Sequence, residues 1–377
     1  AGATVWNPSD AISIQFGHTD ILDGGPESPI AKEIGGRTGN PHAIHSVVNR
    51  HAAQSFIKID NLPLFDSYDL TSYRGELDIH NGKLQVRGES VWGTFKFTAY
   101  FSDDPGVFYI EYEDELHTAQ SRHFILQRLG SRTMFGGFNR PTGEAGDGLG
   151  HTTVGQPEKN VLSVTEQMGI SAVATAVRFQ SSVDDWHAAD FERGIKVNFP
   201  PTKHFSFKAV YSISVTSSTA NPVKLALKQL AQIQDKPKVC RGAARKSGEK
   251  YPYNLFVHLP DDPYYEQLWH LARYHLQSSY YGEHPPFFIN GPWGWNRDNR
   301  MWARLWFHWN MHGASLPLSR IGEEQALATT YTDYKIKQIP AAVAHTREYF
   351  GVRGAAFNDQ QLPTGTGLWN TAKEEFL

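Results

Sequence analysis

Phe205, Phe207, Ala209, Tyr211, Ile213 and Val215 recur at every second position. Ser206, Lys208, Ser212 and Ser214 fall between them, with Val210 the single apolar residue on that second face. A period of two predicts a strand with one face against a core. Phe95 to Phe101 alternates over most of its length, and Val107 to Tyr112 and Ala172 to Phe179 are further apolar, β-branched or aromatic runs. Turn signals separate them at Asn81-Gly82, Asp103-Asp104-Pro105-Gly106 and Phe199-Pro200-Pro201. Residues 1–218 are therefore expected to form an antiparallel β-sandwich domain. The Gly-rich, polar stretch Asn139 to Gly150 reads as a long surface loop.

The pattern then changes. Asn221-Pro222 is a helix start, and Val223, Leu227, Leu230 and Ile233 share one face. The basic run Lys236 to Lys250 reads as a solvated linker, so residues 219–258 are expected to be a linker with one helix. From Asp261-Asp262-Pro263 the spacing becomes helical, with Leu268, Leu271, Ala272 and His275 in step. Further helices are expected over about Met301–Ala314, Glu323–Lys337 and Ala341–Phe350, separated by loops. Successive helices suit an α/α toroid. At about 11–12 residues per helix, the segment 259–377 holds about four to six of them, roughly half of such a ring. The fold expected is thus multidomain: a β-sandwich, then the first part of a toroid.

Charge and composition narrow the function classes. A net charge of −3 does not favour a nucleic-acid partner, which would want a basic face. No run of about 18 apolar residues is present to insert in a membrane. Ala1 to Trp6 has neither the basic nor the apolar region of a signal peptide. The one cysteine, Cys240, excludes an internal disulfide framework. Aromatic residues make up 13% of the chain, and such rings stack on sugar C–H faces as well as filling cores.

The densest candidate chemistry lies between Asn290 and His312. Trp293, Trp295, Trp302, Trp306 and Trp309 alternate there with Arg297, Asp298, Arg300, Arg304, His308, Asn310 and His312. A core seldom takes so many polar groups, since each needs a partner. A sugar pocket needs this mixture of stacking rings with fixed donors and acceptors. His308 and His312 stand at i, i+4. Such a pair serves zinc sites, internal hydrogen-bonded pairs and polar binding walls alike. Without the glutamate of a His-Glu-x-x-His motif or an obvious third ligand, no metal is assigned.

Leu268-Trp269-His270-Leu271-Ala272-Arg273-Tyr274-His275-Leu276-Gln277-Ser278-Ser279, the Pro285-Pro286 turn and the loop Asn290-Gly291-Pro292-Trp293 resemble the start of the catalytic domain of glycoside hydrolase family 95. His308-Trp309-Asn310, with Pro317 seven residues on, is similar to that family's Asn-x-Asn element. Phe16-Gly17-His18-Thr19-Asp20 resembles its N-terminal β domain. The resemblance implies an inverting, cofactor-free glycosidase on an (α/α)6 barrel, acting on α-linked L-fucose or L-galactose in oligosaccharides or polysaccharides. It implies a secreted or periplasmic protein. Asn310 would hold the nucleophilic water, with His308 in place of the family's first Asn. Asn290, Trp293, Trp295, Arg297, Asp298, Trp306, Trp309 and His312 would face the substrate. The family's general acid would lie beyond Leu377, leaving this chain incomplete and inactive alone. A non-catalytic sugar-binding member and a polysaccharide lyase on the same architecture, using Arg297, Arg300 and Arg304 against a uronate, remain the alternatives.

Overall fold

The computed structural model describes residues 2–6, 10–24, 47–60, 62–79, 81–102, 104, 106–128, 151–167, 171–217, 220–233, 257–278, 306–307, 313, 316–317, 320, 331–357 and 360–361. The strands are β1 (Gly2–Trp6), β2 (Ala11–Gly24), β3 (Val47–Ile59), β4 (Leu70–Asp78), β5 (Lys83–Ser90), β6 (Gly93–Phe101), β7 (Val107–Gln127), β8 (His151–Glu158), β9 (Val161–Gln167), β10 (Ser171–Ser181), β11 (His187–Phe191) and β12 (Gly194–Ser217). All twelve belong to one sheet. Every pairing is antiparallel.

Two long strands bend this sheet over a single core. Residues 107–116 of β7 pair with β6 and with residues 204–212 of β12. Residues 122–127 of β7 pair instead with β3 and with residues 194–199 of β12. The two halves of each strand thus belong to two layers. Contacts from one layer to the other close the core. Phe16 on β2 meets Phe108 on β7 at 5.4 Å between ring centroids, and Phe124 meets Phe207 at 4.8 Å. The Ser55 and Tyr211 hydroxyls hydrogen-bond at 2.9 Å.

Alternation predicts this core well. Phe205, Phe207, Ala209, Tyr211 and Ile213 are buried, as are Phe95, Phe97 and Ala99. Asn81-Gly82 is a turn, and the chain bends at Asp104 and turns at Gly106, with Gly82 and Gly106 at φ 58° and 77°. Phe199-Pro200-Pro201, expected to be a turn between strands, lies inside β12. The β7–β12 register shifts between Phe199 and Thr202 and again before His204. Proline lacks an N–H to donate, so an interruption in the ladder is where a sheet accepts it.

Helix α1 (Pro222–Gln232) follows as expected, with the Asn221 side chain accepting from the Lys224 N–H. It packs on β10, β12 and β9 rather than standing apart. Ala226 and Leu230 meet Val161, Ala174 and Ala176, with Val210, Val223, Leu227 and Ile233 alongside. This cover explains the apolar Val210 on the second face of β12. It also explains the buried Ser212, whose hydroxyl donates to Gln229 Oε1 at 2.6 Å.

The C-terminal region contributes helix α2 (Pro263–Ser278), β13 (Trp306–Phe307), helix α3 (Asp333–Phe350) and β14 (Gln360–Gln361). Two expectations change here. Trp306–Phe307, placed in a helix over 301–314, is extended and pairs with Gln360–Gln361. Bulky aromatics favour an extended, paired backbone when a partner strand is offered. Pro340, expected to separate two helices, sits inside α3. It removes one backbone hydrogen bond, and the burial of Gln338 and Ala342 on either side holds the helix through it. The loop 139–150, the basic run 236–250 and the start of the helix expected at 323 lie outside the described residues.

Candidate functional site

Helix α2 opens the region that the sequence marks as functional. Asp262 precedes Pro263 and accepts from the Tyr265 N–H at 3.2 Å. Glu266, on the first turn, accepts from the Leu259 N–H at 2.7 Å and contacts His258 Nδ1 at 3.1 Å. The Leu259 N–H, and after it His258, hold the Glu266 carboxyl below the usual carboxylate range. It is a clamp on the chain before the helix, ionised at neutral pH, and a poor proton donor. His270 Nε2 donates to the Val257 carbonyl at 3.1 Å, a second staple on the same segment.

The inward side of α2 is polar and aromatic. His270 and Arg273 are buried, and the Arg273 guanidinium lies 5.3 Å from the Trp269 ring centroid. Leu268 and Leu271, on the ridge read from helical spacing, are exposed.

Helix α3 has the same inverted character. Tyr334, Gln338, Ala342 and Thr346, at intervals of four, are buried, while Ile336, Ile339, Val343 and Phe350 are exposed. Thr346 Oγ1 donates to the Ala342 carbonyl at 2.8 Å and accepts the Ala356 N–H at 2.6 Å. That pair of bonds folds the chain after Gly351, a left-handed cap at φ 67°, back along the helix. The returning chain reaches β14, where Gln361 pairs with Trp306 and Gln360 with Phe307.

Of the sequence-predicted site residues, Trp306 lies in β13, one strand position from Phe307. Asn290, Trp293, Trp295, Arg297, Asp298, His308, Trp309, Asn310 and His312 lie outside the described residues. The β13–β14 ladder brings two further polar residues, Gln360 and Gln361, to the chain immediately before His308. Sequence reasoning missed them. The polar run Asn358-Asp359-Gln360-Gln361 after a helix was the available signal.

The β layers hold buried charge of a different kind. Asp114 and Arg122 pair with no side-chain exposure, and Arg128 pairs with Glu166 in the same way. Burial pushes the Asp114 carboxyl up, against the pull of Arg122 and of the Tyr112 hydroxyl that donates to it at 2.7 Å. These groups are enclosed by strands and act in the fold. An open depression of about 610 Å³ lies at Phe65 to Tyr73, before and along the start of β4.

No family model matches the sequence, and no curated protein matches it. Solved structures do. A protein provisionally named a kojibiose phosphorylase, from the human microbiome, aligns over 97% of this chain with a TM-score of 0.63 and 10% identity. This chain spans 50% of that protein's length. A bacterial glucoamylase complexed with acarbose aligns over 97% of this chain and 55% of its own, with a TM-score of 0.47 and 9% identity. An inverting mannosidase of family GH92 from Bacteroides thetaiotaomicron aligns over 61% of this chain and 30% of its own, with a TM-score of 0.22 and 9% identity. The first likeness shows that this chain shares its fold with about half of that protein.

Proposed function

We propose that this chain is the β-sandwich and the first part of an α/α-toroid catalytic domain of an inverting glycosidase, acting on an α-linked sugar such as L-fucose or L-galactose. The observation that carries this reading is the fold likeness over 97% of the chain to a protein named as a phosphorylase of a disaccharide. The inverted helices support the toroid. A helix that buries Tyr334, Gln338 and Thr346 and leaves Ile336, Ile339 and Val343 uncovered suits a two-layered ring. In such a ring one face lines a polar centre and the other packs on a second helix.

In the proposed site Asn310 orients the attacking water, and His308 replaces the amide that stands two residues earlier in family 95. A carboxylic acid on the opposite side of the sugar protonates the leaving oxygen, as inversion requires. Trp293, Trp295, Trp306 and Trp309 supply stacking faces, and Asn290, Arg297, Asp298 and His312 supply hydroxyl contacts. The reaction needs no cofactor, and the site of action is outside the cytoplasm.

A second reading, phosphorolysis, draws on the same fold likeness. Phosphate then replaces water as nucleophile, and Arg297, Arg300 and Arg304 are the groups that would hold it. Incubating the complete protein with α-fucosides, α-galactosides and α-glucosyl disaccharides, with and without phosphate, separates the two. Free sugar of inverted configuration, formed without phosphate, is the outcome expected. Sugar 1-phosphate formed only with phosphate selects the second reading. An unsaturated uronate product would indicate a lyase, and binding without turnover a sugar-binding protein.

A further inference from the structure

Strand β4 is an edge: it pairs with β5 and with no other described strand. Every residue from Thr71 to Asp78 is exposed, on both faces. An edge exposed on both faces presents unpaired backbone groups to any matching strand.

Its two faces are unlike. Tyr73, Gly75 and Leu77 fall in the rows of core-facing residues. Tyr73 is opposite Gly88 and then Phe95, and Gly75 is opposite Val86 and then Phe97. Tyr73 and Leu77 nevertheless remain 51% and 42% exposed. The apolar face of the sheet therefore runs on past its cover. On the other face Arg74 donates to Glu76 through Nε at 2.9 Å. Arg74 also stands opposite Arg87, which stands opposite Lys96. Like charges directly opposite each other destabilise a sheet.

The strand is self-complementary about Gly75. An antiparallel second copy, with Gly75 opposite Gly75, sets Arg74 against Glu76 and Tyr73 against Leu77, each twice. The cationic row Lys96, Arg87 and Arg74 then continues into the second copy's row of Glu76, Gln85, Thr98 and Glu111. Centring the pair on Arg74 would set Arg74 against itself, and centring it on Glu76 would set Glu76 against itself and lose the Tyr73–Leu77 pairing. A slip by one residue would set apolar against charged faces. At the centre Gly75 has no side chain, and the Tyr73 ring lies over it, with Oη 3.5 Å from where a Cβ would be.

We propose that β4 is a homodimer edge, where two copies of this chain pair strand to strand across a two-fold axis at Gly75. The contact is isologous, and closes because the same residues serve both sides. Strand addition supplies main-chain hydrogen bonds, and the charge rows set the register.

Sedimentation equilibrium of the full chain over a concentration series tests this. The wild type is expected to dimerise. Arg74→Glu and Glu76→Arg should each weaken the dimer by at least about tenfold, because each sets like charges opposite. An equimolar mixture of the two single variants should recover a dimer made of one copy of each. The double reversal Arg74→Glu with Glu76→Arg should dimerise with itself. Recovery also demonstrates that the variants fold. A wild type that stays monomeric throughout, or a dimer indifferent to these substitutions, would overturn the proposal.

Discussion

Arg122 and Asp114 form an ion pair inside one strand, eight residues apart, with neither side chain reaching solvent. The β-bulges of β12 explain the arrangement. Between the two shifts of the β7–β12 ladder, Gln120 stands opposite Thr202, and Arg122 Nη1 donates to both carbonyls. Its remaining donors take Asp114, and the guanidinium lies 5.6 Å from the Phe205 ring centroid. Removing one member leaves the other charge buried alone. Asp114→Ala is expected to destabilise the β domain by about 3–5 kcal/mol, read from the midpoint of urea unfolding. A loss under about 1 kcal/mol would mean that water reaches the site.

Tyr100 and Tyr109 stack on adjacent strands at 5.1 Å. Burial first, then Glu111 and Tyr109, push the Tyr100 phenol from about 10 up to about 12. The raised value belongs to the folded state, which keeps the proton after the unfolded chain has lost it. The associated stability is whole below pH of about 10 and is lost as pH rises toward about 12. Tyr112 and Tyr211, fully buried, shift in the same direction. Unfolding free energy measured between these pH values should fall, and Tyr100→Phe should shallow the slope. An unchanged slope would assign alkaline sensitivity to the other tyrosines.

Gly93 begins β6 with φ at 148°, and a Cβ there would overlap the Glu115 carbonyl oxygen and approach Leu116 Cα to 2.9 Å. Both obstacles are backbone, so no rotamer relieves them. Gly93→Ala is expected to cost more than about 3 kcal/mol. Thermal unfolding of the variant checks this directly. Gly351, also at positive φ but in open space, is the control. Gly351→Ala should cost only about 1 kcal/mol, through the backbone conformation alone.

The strands were legible because each of their rows faces one environment. Phe95 to Ala99 and Phe205 to Ile213 alternate since the core lies on one side and water or α1 on the other. The bend was not legible. Nothing local distinguishes a 21-residue strand such as β7 that changes layers from two strands and a turn. Pro200-Pro201 reads as a turn until the partner strand is known to slip there. Val210 and Ser212 needed α1 above them to make sense. In the helical region the spacing found α2, while α3 runs through Pro340 where two helices were expected. On both helices polar residues such as His270 and Thr346 are inside, and Leu271 and Val343 are outside. Periodicity reports an amphipathic face and does not say which side of the helix the rest of the chain covers. Gln360 and Gln361 were hidden for another reason. Their proximity to Trp306 spans more than 50 residues of chain, a distance that only a register can close.

The proposed roles of His308 and Asn310 separate by pH. If the Asn310 amide orients the attacking water, Asn310→Gly in the complete enzyme should lower kcat by about 10² or more with little change in KM, since that contact strengthens only at the transition state. If neutral His308 accepts a hydrogen bond beside that water, the rate should rise with pH through about 6.5, where imidazole loses its proton. His308→Asn keeps a donor and an acceptor but removes the titration. It should retain measurable turnover while the acidic limb of the kcat/KM profile disappears. A limb that persists in His308→Asn would assign it to another group, and full activity in Asn310→Gly would remove the amide from the mechanism.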